Sequence, residues 1–479
     1  MNPVILPIIM FGCVISWCGA SAVMSSEDNL LRIDKKSLNY KGSFINPELV
    51  GFNLLYWIDD KTQYENRRLE EEIKQIRPAL LRYPAGTASQ NYDWRSNTVV
   101  NTNLFPFGQK NNLLDTDNYI SLIKNTGAGA FVVVDIASAH LKDRKKAVTK
   151  GQEGYEVAQP VSVEEEQAMI DKAAAWAESF EASGLSPVCY ELGNEHYLAF
   201  LDYMVFTPEM YVQKCKRFIK AIRKADPDAQ FAICGPDPFS RSHYYYKNTP
   251  WWPMVLKELS GDVNRLVLHK YWGPIEAVSA ADPGEPYRVF RRDLTEWGRK
   301  EGVDIRHLKI GFTEWGGREY MDSQRFGLFS FRLLCGLAEN GVDYAIEWPF
   351  RWPEQGEFGQ AQLVEQETGR PTFAFYVLSA WSRFFSGKYV VNSSKGSCLP
   401  SQIKSFAAID ENGVPVIAIA NTGAQTATIQ LDVEWPKNVQ TLQSVDVSAS
   451  GIETAKAVSP DLVSQVDIGP GKILIIKAN

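Results

Sequence analysis

The 479-residue sequence has little of what marks several large protein classes. It has five histidines (His140, His196, His243, His269 and His307) and no HxH or HExxH spacing, so nothing points to a zinc centre. Seven cysteines are scattered without a CxxC. The five beyond the N-terminal segment (Cys189, Cys215, Cys234, Cys335 and Cys398) are an odd set, which argues against a disulfide framework and reads as buried small hydrophobes. There is no basic excess: 50 Lys and Arg stand against 57 Asp and Glu, a net charge of −7, which excludes a general phosphate-backbone binder. No GxGxxG follows a first strand and no P-loop occurs, so no cofactor is expected. Long apolar runs are also missing, apart from residues 4–19. That run lacks charge, is short for a membrane span, and is followed by Ala20-Ser21-Ala22, a small-x-small pattern. Residues 1–22 therefore read as a signal peptide rather than a retained anchor, despite the lack of a Lys or Arg ahead of the run. Met10-Phe11-Gly12 before Cys13 is a poor lipoprotein box. A secreted, periplasmic or cell-surface protein without a membrane span in the mature chain is the expectation.

What is abundant is aromatic: 12% of residues, with 13 Trp and 20 Tyr. Composition alone allows either a large core or flat sugar-stacking surfaces.

From about residue 48 short apolar segments of strand length alternate with amphipathic helices. The strand candidates are 49–55, 79–84, 130–136, 188–194, 231–235, 265–272, 309–315 and 344–350. Between them, 162–183 opens with Ser162 and Glu165 at capping-box spacing, and Thr207-Pro208 opens another helix at N-cap and first-turn positions. Eight such units predict a closed (β/α)8 TIM barrel over 45–385, rather than an open doubly wound sheet. Residues 386–479 lose the helical period and show alternating, Gly-, Asn- and Ser-punctuated runs. They predict a C-terminal antiparallel β-sandwich, with 30–44 adding a strand.

In such a barrel, chemistry sits where strand C-termini meet the following loops. Four acids qualify: Asp135, Glu195, Glu314 and Glu347. Asp135 reads as a structural or orienting acid, and Glu347 as either a site residue or an outward salt-bridge partner. Glu195 and Glu314 are 119 residues apart in sequence but sit on strands four and seven, which face each other across the mouth. Two carboxylates about 5 Å apart there would suit retaining glycoside hydrolysis. Lys270 raises a Schiff-base alternative, but it has the opposite strand parity to His269 and Tyr271.

YELGNE (190–195) and GFTEWG (311–316) resemble the paired glutamates of clan A glycoside hydrolases. LRYPAGTASQNYDW (81–94), LHKYW (268–272) and EWPF (347–350) are similar, in order, to motifs of that clan's α-L-arabinofuranosidase and β-xylosidase branches. The resemblance implies Glu195 as acid/base and Glu314 as nucleophile. It further implies Asn194 as a hydrogen-bond donor to the neighbouring sugar hydroxyl, Arg82 as the group that keeps the nucleophile ionised, His269 and Tyr271 as orienting groups, and Trp348 as a stacking platform. PAG stands where those branches have PGG, and EWGG where they have an EWN-type motif, which leaves the substrate open.

The loop 235–252 brings Tyr244, Tyr245, Tyr246, Trp251 and Trp252 beside Arg241, His243 and Lys247, and the strand-eight loop adds Phe350, Arg351 and Trp352. Tyr244, Arg351 and Trp352 are expected at a sugar-binding face. Lys142, Arg144, Lys145, Lys146 and Lys150 form a basic run that reads as a solvated surface or a recruiter of anionic polysaccharide. The expectation is a secreted retaining glycoside hydrolase acting on a plant or algal polysaccharide or its oligosaccharides. The alternatives are a catalytically silent carbohydrate-binding barrel, or an endo-acting agarase- or glucuronidase-like enzyme instead of an exo-acting arabinofuranosidase or xylosidase.

Overall fold

The computed structural model describes residues 29–479, except 40, 103–111, 142–157, 159, 199–205, 238–250, 273–282, 318–321, 354–360, 393–396, 438, 456, 458, 461–462 and 479. The predicted signal peptide, the basic run and Tyr244–Tyr246 lie outside the described residues. Within them, eight parallel strands close into a barrel in sequence order. They are Gly51–Asn53, Leu80–Tyr83, Gly129–Val134, Cys189–Leu192, Phe231–Cys234, Arg265–Trp272, Lys309–Gly317 and Tyr344–Glu347, hereafter strands one to eight. Strand eight returns to strand one through Ile346↔Gly51 and Glu347↔Phe52.

The sequence signals for helix ends act as their chemistry requires. Ser162 and Glu165 form both bonds of a capping box at the start of helix Val163–Ala182. Thr207 accepts from Met210 N, with Pro208 in the first turn of helix Pro208–Ala225. Most strands are shorter than predicted, whereas strand six keeps its predicted range and strand seven extends to Gly317. Strand eight stops at Glu347 because the chain soon reaches Pro349, which has no N–H for the ladder. Strand one begins only at Gly51, after a 3-10 turn at Pro47–Leu49.

The C-terminal part forms a six-stranded antiparallel sheet, with Ile403–Ile409, Pro415–Asn421, Ile473–Ala478 and Leu442–Ser448 at its centre. Opposite lies a three-stranded sheet in which Leu30–Ile33 pairs in parallel with Ala427–Val433, and residues 35–38 turn into a short helix. Alternate residues of the large sheet serve two interfaces. Ile417, Ile419 and Ile476 face the sandwich interior, whereas Phe406 meets Trp381 and Phe385 at the end of the barrel's last helix, with ring centroids 5.0 and 5.4 Å apart.

Register decides which side chains enter the barrel. Leu80 aligns with Gly51 and Gly129, and Arg82 aligns with Asn53 and Phe131, so Asn53 and Arg82 share the inner face. Between strands six and seven, Leu268 aligns with Phe312 but His269 aligns with Glu314, so Thr313 is an extra residue in strand seven. This bulge lets Thr313 and Glu314, although consecutive, both reach the same pocket.

Candidate active site

Arg82 is the hub. Its side chain is completely buried, and all five guanidinium N–H groups are used. Nε and Nη2 fork onto Glu191 Oε2 and Oε1 at 2.7 and 2.9 Å, and Nη2 also donates to Asn194 Oδ1 at 2.7 Å. Nη1 donates to Asn53 Oδ1 and to Glu314 Oε1, each at 2.9 Å. Burial opposes the charge on Arg82, but Glu191 and Glu314 outweigh it and hold the guanidinium protonated.

Glu314 is held from both sides, since its Oε2 accepts from Tyr271 OH at 2.6 Å. Burial, then Glu314 and Glu195, push the Tyr271 hydroxyl well above its ordinary range, so it remains a donor. His269 Nδ1 meets Glu195 Oε1 at 2.8 Å and lies 3.5 Å from Glu314 Oε2. Its Nε2 is 3.0 Å from Thr313 Oγ1. Burial disfavours protonated His269, but Glu314 and then Glu195 win and raise it above its ordinary value. One oxygen of Glu195, one of Glu314 and an imidazole nitrogen of His269 all lie within 4.8 Å of one another. That set could in principle take a metal ion, but Arg82 and Tyr271 already donate to both Glu314 oxygens.

Glu195 sits on a turn the sequence builds deliberately. After strand four the chain passes Gly193 at φ 80°, then Glu195 itself at φ 52°, a strained position for a residue with a Cβ. His196 anchors the turn: its ring stacks on Phe206 (centroids 4.4 Å apart) and its Nε2 lies 3.0 Å from Gln90 Oε1. A Cβ on Gly193 would come within 2.4 Å of that ring. Burial drives His196 down to about 3, so it stays neutral. Asn194 offers its Nδ2, which is buried and has no partner among the described residues, while Arg82 fixes its Oδ1.

Trp348 lies at the pocket wall with its ring against Gly86 (φ 60°), where a Cβ would fall 2.4 Å from Cη2. Trp352 is half-buried beside it, with ring centroids 5.8 Å apart. Next to Gly86, Ala85 adopts φ 64°, the left-handed region a glycine would occupy more easily, at the very position where PAG stands for PGG.

Other expected residues lie elsewhere. Arg351 is buried at 1% exposure and pairs with Asp59 at 2.7 Å and with Glu72, so it ties the strand-eight loop to the first loop and helix Arg68–Ile76 rather than facing a ligand. Phe350 stacks on Phe52. Trp251 and Trp252 are also inside. Both begin a helix, crowd Gly235, and pack on Tyr211 and Phe290, because helix formation turns two bulky indoles toward the barrel wall. Lys270 pairs with Asp237 at 2.7 Å on the outer face. Asp135 caps the N–H groups of Ala137 and Ser138. Glu347 aligns with Phe52 and Leu81, on the face opposite Arg82; it is fully buried, and neither carboxyl oxygen has a partner among the described residues.

Sequence reading missed Glu191, Thr313 and Asn53. One signal was available: a buried Arg needs acceptors for five donors, and Glu191 lies at even spacing from Cys189 on an inward-facing strand.

The same fold occurs in several solved structures. One is an α-L-arabinofuranosidase from Thermotoga maritima in complex with arabinose, with a TM-score of 0.64 and 14% identity over 92% of this chain and 98% of that one. Another is a GH30 endoxylanase from Clostridium papyrosolvens C71, with a TM-score of 0.59 and 14% identity over 92% and 98%. A third is a GH44 endoglucanase from Clostridium thermocellum, with a TM-score of 0.57 and 11% identity over 92% and 97%. These likenesses establish the architecture, a barrel that in such neighbours belongs to clan A glycoside hydrolases. No protein-family model matches the sequence, and no curated protein is similar to it in sequence. Among the described residues no helix is long and apolar enough to cross a membrane.

Proposed function

We propose that the protein is a secreted, retaining glycoside hydrolase acting on a plant or algal polysaccharide or its oligosaccharides. The observation that supports this most directly is the pair Glu195 and Glu314, with carboxylate oxygens within 4.8 Å at the C-terminal mouth of the barrel. Double displacement needs about 5–5.5 Å, whereas inversion needs about 6.5–9.5 Å to admit water between the groups. The neighbours named above are an arabinofuranosidase, a xylanase and a glucanase, which fits the same chemistry.

In this mechanism a Glu314 oxygen forms a bond to the anomeric carbon as the glycosidic C–O bond breaks. The leaving oxygen takes its proton from Glu195. Water then attacks the same carbon, gives its proton to Glu195, and releases Glu314. Arg82 and Tyr271 hold both Glu314 oxygens in place through charge-assisted hydrogen bonds. The Nδ2 of Asn194, pre-oriented by Arg82, donates to the hydroxyl beside the anomeric carbon. Trp348 and Trp352 line the wall for an apolar sugar face.

The test is a screen of polysaccharides and aryl glycosides with wild type and Glu314→Gln. A loss of several orders of magnitude is expected on whichever substrate is cleaved, because the covalent step needs the carboxylate. Activity within about tenfold of wild type would remove Glu314 from the nucleophile role.

A further inference from the structure

The two glutamates are joined by a chain of hydrogen bonds that runs behind the pocket: Glu195 to His269, His269 to Thr313, Thr313 to Glu191, Glu191 to Arg82, and Arg82 to Glu314. Its direction follows from one end. Glu191 takes two donors from Arg82, and an ionised carboxylate only accepts. Thr313 Oγ1 lies 3.4 Å from Glu191 Oε1, and its hydroxyl has one proton to give. With that proton pointing to Glu191, Thr313 Oγ1 must accept from His269, so the imidazole carries its proton on Nε2. The single proton in the 2.8 Å contact between His269 Nδ1 and Glu195 Oε1 then sits on Glu195 when His269 is neutral and on Nδ1 when Glu314 and Glu195 draw His269 into its imidazolium form, and in both states Nε2 stays protonated.

We infer that Thr313, directed by Glu191, is a positioning residue that fixes the Nε2–H tautomer of His269, and that His269 and Glu195 thereby act as one acid/base unit sharing a proton. The inference rests on the glycosidase reading for its catalytic consequence, but not for the tautomer itself. The groups acting on His269 are Glu195 after strand four, Thr313 and Glu314 in strand seven and Arg82 in strand two, while Glu191 and Tyr271 lie one hydrogen bond further away, on Thr313 and Glu314. Lys270 and Asp237 pair on the opposite face. The proton used in acid catalysis therefore lies in a contact between the two residues, so a change at His269 also changes its delivery by Glu195. The extra residue in strand seven explains why a threonine can serve here: without the bulge, Thr313 and Glu314 would face opposite sides of the sheet.

The reverse direction is chemically distinct. In it, Thr313 would donate to Nε2, and Nδ1–H would donate to an ionised Glu195, leaving no proton for the leaving group.

Nitrogen-15 NMR of the protein labelled at histidine separates the two, because protonated and bare imidazole nitrogens have well-separated shifts. The expected result for the wild type is a proton on Nε2 of His269 in both charge states, with a hydrogen-bonded, bare Nδ1 in the neutral ring and a protonated Nδ1 only in the imidazolium. A neutral wild-type His269 protonated on Nδ1 would overturn the inference whatever the enzyme hydrolyses. Thr313→Val should release the tautomer, lower kcat about 10- to 100-fold with little change in KM, and shift the acid-catalysis limb, a smaller loss than the roughly 10²- to 10⁴-fold of removing the proton donor itself because Thr313 acts through His269. Thr313→Ser, which keeps the hydroxyl, should restore the wild-type profile. Equal losses in Thr313→Val and Thr313→Ser would reduce Thr313 to packing and refute the relay. If no glycoside is cleaved but Nε2–H is observed, the tautomer assignment stands and the proposed function falls.

Discussion

Replacing Arg82 with Met is the most informative single perturbation, because one side chain serves structure and chemistry at once. It removes five donors from a fully buried site and leaves Glu191 and Glu314 without the cation between them. Breaking one buried ion pair from one side costs about 3–5 kcal/mol. Two carboxylates depend on this Arg, so the upper part of that range applies. A chain of this length gains roughly 1 kcal/mol/K of entropy on unfolding, so the melting temperature at neutral pH should fall by about 4–5 °C. The deficit should shrink toward about pH 4, because protons then neutralise the stranded carboxylates that Arg82 no longer compensates. Activity should fall by about a thousandfold or more, the rate equivalent of some 4 kcal/mol, since a protonated Glu314 cannot attack. Adding Glu191→Leu removes one stranded acid and should recover much of the stability without recovering activity. Calorimetry at two pH values, with initial rates on the best substrate, measures all of this. An equal melting deficit at pH 4.5 and 7.5, or no recovery in the double variant, would refute the electrostatic reasoning.

Two further outcomes follow from buried groups away from the pocket. Burial alone pushes the Glu347 carboxyl well above its ordinary 4.5, so its folded value exceeds its unfolded one. Such an acid pays no ionisation penalty in strongly acidic solution and an increasing one as pH rises past the unfolded value. Glu347→Met should therefore stabilise the protein at neutral pH by about 1–3 kcal/mol, with the gain shrinking in acid; destabilisation at pH 7.5 would imply a partner for the carboxylate. Arg351 balances Asp59, whose carboxyl burial pushes up to about 6 against the pull of Arg351 and the Leu55 N–H. Arg351→Met should cost about 3–5 kcal/mol in stability by denaturant titration. An unchanged midpoint with a raised KM would instead return Arg351 to the substrate.

The comparison of Glu191 with Glu195 shows where reading a sequence stops. Both stand in YELGNE, and a carboxylate at a strand end is suspect by position alone. Glu191 stays in strand parity and points inward to Arg82, whereas Glu195 reaches the pocket only because the turn through Gly193 breaks that parity. Likewise, Thr313 looks like an outward neighbour of Glu314 until the bulge is known. Trp251 and Trp252 fall in the predicted loop 235–252, but a helix starts at Trp251 and buries them. Among the described residues the aromatic share is therefore mostly core, with Tyr271, Trp348 and Trp352 at the pocket.

The alternation of strand-length apolar runs with capped helices was enough to determine the barrel, because period and end chemistry are local properties that the chain carries residue by residue. The same holds for the identity of Glu195, Glu314 and Arg82 as suspects, since an acid or guanidinium at a strand end needs a reason to be there. What only the tertiary structure decided was connection: which carboxylates share Arg82, that His269 contacts Glu195 more closely than Glu314, and that Arg351 is turned inward. Those facts depend on barrel closure, register and one inserted residue, which bring groups 119 positions apart within 4.8 Å and are set by the packing of the whole chain.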